Sequence, residues 1–140
     1  MPPIELLGIY LHLARASEKR KRPYVRGRLL VLAAALAAQM RLPRVAALCR
    51  RMVLADNSNH LLARWPSLDQ ASQDPEFQTL LQQLQKHYSP EYSERLLHNL
   101  GIQAAGERRA YFSDEEYAAA LLGTSPRHLG DEFGDLDDPA

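Results

Sequence analysis

The sequence predicts an all-α fold: a single-domain, compact bundle of five to six helices around one central apolar helix. Three observations lead there. Leu and Ala supply most of a hydrophobic content of 46%, while Val, Ile and Thr are scarce, a balance that favours helix over strand. Apolar residues recur at helical spacing in several stretches, and no strand-like alternation competes with them. Most of those stretches open on a proline or a capping residue. A chain of 140 residues is one domain by size and is long enough to bury a single core.

The elements follow in order. Pro3 opens a helix from Ile4 to about Glu18, with Ile4, Leu7, Leu11 and Ala14 on one face. The basic run Lys19–Arg22 and Pro23 end it, because the residue before a proline avoids helical angles. A second helix spans about Val25 to Met40. It has no polar residue between Leu29 and Ala38, so it is expected at the centre, covered all round. Pro43 starts a third helix to about Ala55, with Val45, Leu48, Cys49 and Met52 inward. The two-residue link Arg41–Leu42 makes helices two and three an antiparallel hairpin. A short helical piece around His60 to Trp65 stops at Pro66, and Ser67 is placed to cap another brief turn.

The next helix is the most strongly marked. Asp74 is its N-cap, Pro75 its first residue, and Phe77, Leu80, Leu81, Leu84 and Tyr88 fall on one face. Ser89–Pro90 repeats that start, with Tyr92, Leu96, Leu97 and Leu100 as the apolar side and Gly101–Ile102 as a left-handed stop. Ser113 with Glu116 forms a capping box for a last short helix to Leu122, closed by Gly123. The bundle domain is therefore expected over 1–123, and a disordered, flexible acidic tail over 124–140. From Arg26 to Asn59 the helix–turn–helix ending in Asp-Asn-Ser-Asn resembles one tetratricopeptide repeat in shape. No second copy at that period follows, and such repeats need about three for stability.

Charge is the feature that points outward. Residues 1–64 hold 12 Lys or Arg against 3 Asp or Glu, a net of +9, and residues 65–140 hold 5 against 14, a net of −9. The candidate basic interaction surface is Lys19, Arg20, Lys21, Arg22, Arg26 and Arg28, extended by Arg44 and Arg51, which lie one heptad apart on the third helix. The candidate docking tail is Asp131, Glu132, Phe133, Asp135, Leu136, Asp137 and Asp138. Phe133 and Leu136 inside the acidic run suggest a docking motif, since apolar residues there serve no solvation purpose.

Chemistry is sparse by comparison. There is no Gly-rich phosphate loop, GxSxG, HExxH or paired CxxC. Glu94 and His98 share a helix face but lack the further ligands of a dinuclear site, and Cys49 reads as a core residue. The reading is a non-enzymatic helical adaptor or regulatory protein with no catalytic residues, no cofactor and no metal. Its expected partner is another protein. Sequence-tolerant nucleic-acid binding through the 19–28 loop is the alternative, and peripheral contact with an anionic membrane ranks below both. One cysteine, no secretory order at the N-terminus and no apolar run of membrane length lead to the expectation of a cytoplasmic protein.

Overall fold

The computed structural model describes residues 1–134, and among these the chain is all-helical with no strand. Eight α-helices are present among the described residues: α1 Pro3–Lys19, α2 Pro23–Gln39, α3 Pro43–Asp56, α4 Leu68–Ala71, α5 Pro75–His87, α6 Pro90–Asn99, α7 Asp114–Leu121 and α8 Pro126–Phe133. Two single 3-10 turns, Leu61–Arg64 and Glu107–Ala110, sit in the links. No helix among the described residues is long and apolar enough to cross a membrane.

Helix α2 has no polar side to give to solvent, and the fold is arranged accordingly. Leu29, Leu30, Val31, Leu32, Ala33, Ala34, Ala35 and Ala37 are each at most 2% exposed. Seven buried residues in a row sample every direction around a helix, so neighbours are needed on all sides. Helices α1 and α3 flank α2 antiparallel, and α4 and α5 pack on it as well. Helix α6 lies against α1, α7 joins α1 to α3, and α8 packs on α3 and α7. Close approach also shapes the α1–α7 contact, where a methyl at Gly8 would overlap the Tyr117 hydroxyl.

The two turns that bracket α2 are built alike. After α1 the Arg22 N–H reaches back to the Ser17 carbonyl at 2.9 Å, and after α2 the Leu42 N–H reaches the Ala37 carbonyl at 2.9 Å. Each turn places one residue in the left-handed region, Lys21 at φ 56° and Arg41 at φ 62°. Glycine is the usual occupant there, and a side-chain-bearing residue costs about 1–2 kcal/mol. Two residues after each, Pro23 and Pro43 begin the next helix.

The later helices follow their caps. The Asp74 carboxylate accepts from the Glu76 N–H at 2.9 Å, and Ser89 and Ser113 accept from Tyr92 and Glu116 in the same way. Glu116 returns the bond to the N–H of Phe112, one residue before the cap. Gly101 and Gly123 take positive φ at the ends of α6 and α7, as their placement in the sequence required. The Tyr10 hydroxyl donates to the Tyr88 carbonyl at 2.9 Å and ties α1 to the α5–α6 link.

Three expectations need correction. The count of helices is higher, because the piece after Ser67 is a full turn of helix and because the presumed tail contains α8. Ser125 accepts from the His128 N–H, Pro126 takes the first position and Leu129 is 1% exposed, so 126–133 is a capped, anchored helix and not a flexible tail. On α6 the buried side is Ser93 and Leu97, while Tyr92 is turned out. On α5, Phe77, Leu84 and Tyr88 are buried and Leu80 and Leu81 only half-buried.

Phe77→Ala or Leu84→Ala is expected to cost about 2–5 kcal/mol in urea unfolding, and Leu81→Ala clearly less. An equal loss at all three positions would place the buried stripe of α5 wrongly.

Candidate interaction surface

Six of the fourteen arginines make hydrogen bonds or ion pairs within the described residues. The Arg26 guanidinium meets Asp56 at the end of α3 and lies 3.8 Å from Glu18 at the end of α1, which pins three helix ends together. Arg44 grips Glu115 of α7 with two bonds, at 2.9 and 2.7 Å, the forked geometry that favours arginine over lysine. Arg50 donates to the Trp65 carbonyl at 2.8 Å, while the Trp65 ring sits edge-on to Phe77 with centroids 6.0 Å apart. Trp65 is therefore a half-buried part of the core rim. Arg64 pairs with Glu76, and Arg108 with Asp114.

Arg51 explains α8. It pairs with Glu132 and lies over the Phe133 ring at 4.8 Å, and Glu132 also meets His128 at 2.7 Å. The Arg51 hydrogen bond holds the Glu132 carboxyl below its ordinary range. Gly130 leaves room for Arg44, since a Cβ there would stand 3.2 Å from its Nη1. Of the candidate tail residues, Glu132 and Phe133 thus face the basic flank of α3, Asp131 is exposed, and Asp135, Leu136, Asp137 and Asp138 lie outside the described residues.

What remains is the α1–α2 turn. Lys19, Arg20, Lys21, Arg22 and Arg28 are exposed, and none has a carboxylate within ion-pair reach among the described residues. The structure therefore splits the eight basic candidates. Arg26, Arg44 and Arg51 are committed to internal contacts, and the other five are left on one end of the α1–α2 pair. Positive residues suit the end of α1, but Arg22 stands at the N-cap of α2, and the first turn of α2 carries no acidic residue and no side-chain cap. A cation at a helix N-terminus works against the dipole by about 0.3–1 kcal/mol. The dipole thus accounts for the cations at the end of α1 but not for Arg22 at the start of α2. Tyr24, in the first turn of α2, is 83% exposed beside it.

Two shallow apolar cavities flank α2. One, of about 210 Å³, opens between α1, α2, α3 and the end of α7, next to the basic turn. The other, of about 190 Å³, lies between α1, α2, α5 and the start of α6.

The chemistry-bearing residues are elsewhere. His12 Nε2 lies 2.8 Å from Glu107 Oε1, a pairing across 95 positions that no local pattern announces. Beside it, burial first and the Glu107 carboxylate second push the Tyr117 hydroxyl well above its ordinary pKa. Burial likewise pushes the Cys49 thiol from 9.0 up to about 12, so it stays protonated and shielded at neutral pH. Glu94 and His98 are both exposed on α6, and among the described residues no group of three His, Cys, Asp or Glu is gathered to hold a metal. No protein-family model, curated protein or solved structure matches this chain.

The anchoring of α8 sets two effects against each other. Arg51 is 53% exposed, and an exposed ion pair is worth about 0–1 kcal/mol, whereas Leu129 is 1% exposed. Leu129→Ala is expected to cost about 2 kcal/mol or more and Arg51→Ala less than about 1 kcal/mol in denaturant titrations. The reverse order would mean that charge, not burial, holds the helix.

Proposed function

We propose that this protein is a non-enzymatic helical interaction module that docks an acidic protein on its α1–α2 turn. The observation that carries the reading is the set of unneutralised charges at Lys19, Arg20, Lys21, Arg22 and Arg28, gathered at one end of the α1–α2 pair. Charges that no carboxylate among the described residues neutralises are accounted for by a partner that supplies the missing carboxylates. The His12 imidazole is paired with Glu107, and the Cys49 thiol is closed in the core. The lone buried thiol suits a reducing, cytoplasmic setting, which this reading adopts.

One observation favours a second reading. Tyr24 stands 83% exposed beside the basic cluster, the combination of cation and aromatic face used to hold single-stranded nucleic acid. The two readings differ in what Tyr24 does.

Binding to polyglutamate and to single-stranded DNA, each titrated across a range of salt, checks both. The acidic-protein reading predicts salt-sensitive binding of polyglutamate. Joint replacement of Lys19, Arg20, Lys21 and Arg22 by Gln should weaken it about ten-fold or more and flatten its salt dependence. Tyr24→Ala should leave it nearly unchanged. A loss of single-stranded DNA binding by about ten-fold in Tyr24→Ala would favour nucleic acid instead. Absence of salt-sensitive binding to either polymer would remove the basis of both.

A further inference from the structure

The cavity beside the basic turn has an apolar floor and a charged rim. Its floor is formed by Leu11 and Ala14 of α1, Leu30 of α2, Met52 of α3 and Leu121 of α7, and its rim by Arg15, Glu18 and Arg26. Glu18 faces Arg26 at 3.8 Å, and Arg26 is also met by Asp56, so this part of the rim has one more carboxylate than cation. Arg15 is exposed and has no ion pair among the described residues. Lys19 lies one helical turn beyond Arg15 on α1, and Arg22 lies one turn before Arg26 at the head of α2. The unneutralised charge therefore borders the cavity on its turn side.

Size narrows the occupant. A cavity of about 210 Å³ falls below the roughly 300–1,000 Å³ of sites that take a cofactor or a whole drug-sized ligand. It exceeds the roughly 150 Å³ apolar cavity that holds benzene. One or two apolar side chains fit that space. A floor of this kind next to unpaired cations matches a peptide that carries both an apolar side chain and several carboxylates.

We infer that the groove between α1, α2, α3 and α7 takes a single apolar side chain from an acidic peptide segment, whose carboxylates pair with Arg15, Lys19 and Arg22. This rests on the acidic-partner reading and adds to it an anchor and a register. Charge alone gives fast, salt-sensitive and poorly selective association, while a buried apolar anchor slows release and selects among acidic partners.

The test uses the full chain and two labelled acidic peptides of the same length, differing only at the central residue, Leu in one and Ser in the other. Affinity is read by fluorescence anisotropy at low salt, and occupancy of the groove by the methyl resonances of the three methionines, Met1, Met40 and Met52. Met52 lines the cavity, and Met40 sits at the opposite end of α2 as an internal control. The inference predicts that the Leu peptide binds about ten-fold tighter or more, as expected for burial of one leucine side chain. It also predicts that the Leu peptide shifts the Met52 methyl and leaves Met40 in place. Equal affinities with a stationary Met52 methyl would overturn the anchor while leaving charge-driven docking intact. Failure of both peptides to bind would overturn the anchor and the docking together.

Discussion

The structure depends on one constraint, that α2 must be covered on every side. A helix with a single apolar stripe is satisfied by one neighbouring layer, but the run Leu29–Ala35 offers no direction that water can face. Helices α1 and α3 flank it, and α4 and α5 pack on it as well. The remaining helices are second-layer elements. α6 and α7 rest on α1, and α8 completes the cover on α3. Because the central helix is wholly consumed by packing, only its ends and the outer helices present side chains to solvent.

Those ends are where the neutral total charge resolves into paired and unpaired members. The +9 and −9 halves do not simply meet. Three of the basic candidates are drawn into the fold by Asp56, Glu115 and Glu132, and each of those pairs ties α2 or α3 to a neighbouring element. The charges of the α1–α2 turn are left over, held outward by a tight turn with Lys21 in a left-handed conformation. A short link between two buried helices has no interior to enter, so its side chains project into solvent. The same turn geometry at Arg41 ends α2 on its other side without a comparable cluster. The turn therefore does not require the charge. The charge is an addition to it.

Much of this architecture was legible in the sequence because its signals are local. Prolines 3, 43, 75 and 90, the caps at Asp74, Ser89 and Ser113, and the glycines at 101 and 123 mark boundaries within a few residues of themselves. α8 escaped because only Leu129 and Phe133 are apolar among its charged and glycine neighbours, although Ser125–Pro126 repeats the start seen at Ser89–Pro90. Its stability comes chiefly from burial of Leu129 in the packing against α3 and α7, with Arg51 adding a pair to Glu132, and composition does not encode that packing. The basic cluster was visible as a run, but its division into paired and unpaired members was not. Arg26 and Arg44 find acids 30 and 71 positions away, as His12 finds Glu107 across 95. Such pairings are set by the packing of helices, so they appear only once the fold is assembled.

Native-state hydrogen exchange tests the central constraint most directly. If α2 is the element on which the others depend, the amides from Val31 to Ala37 open only with global unfolding and report its full free energy. The amides of α6 and α8, which lie on one side of the bundle each, exchange through smaller local openings. Exchange of the α2 amides at or below the protection of α6 would contradict the account, because a helix buried on all sides cannot open while its neighbours stay in place.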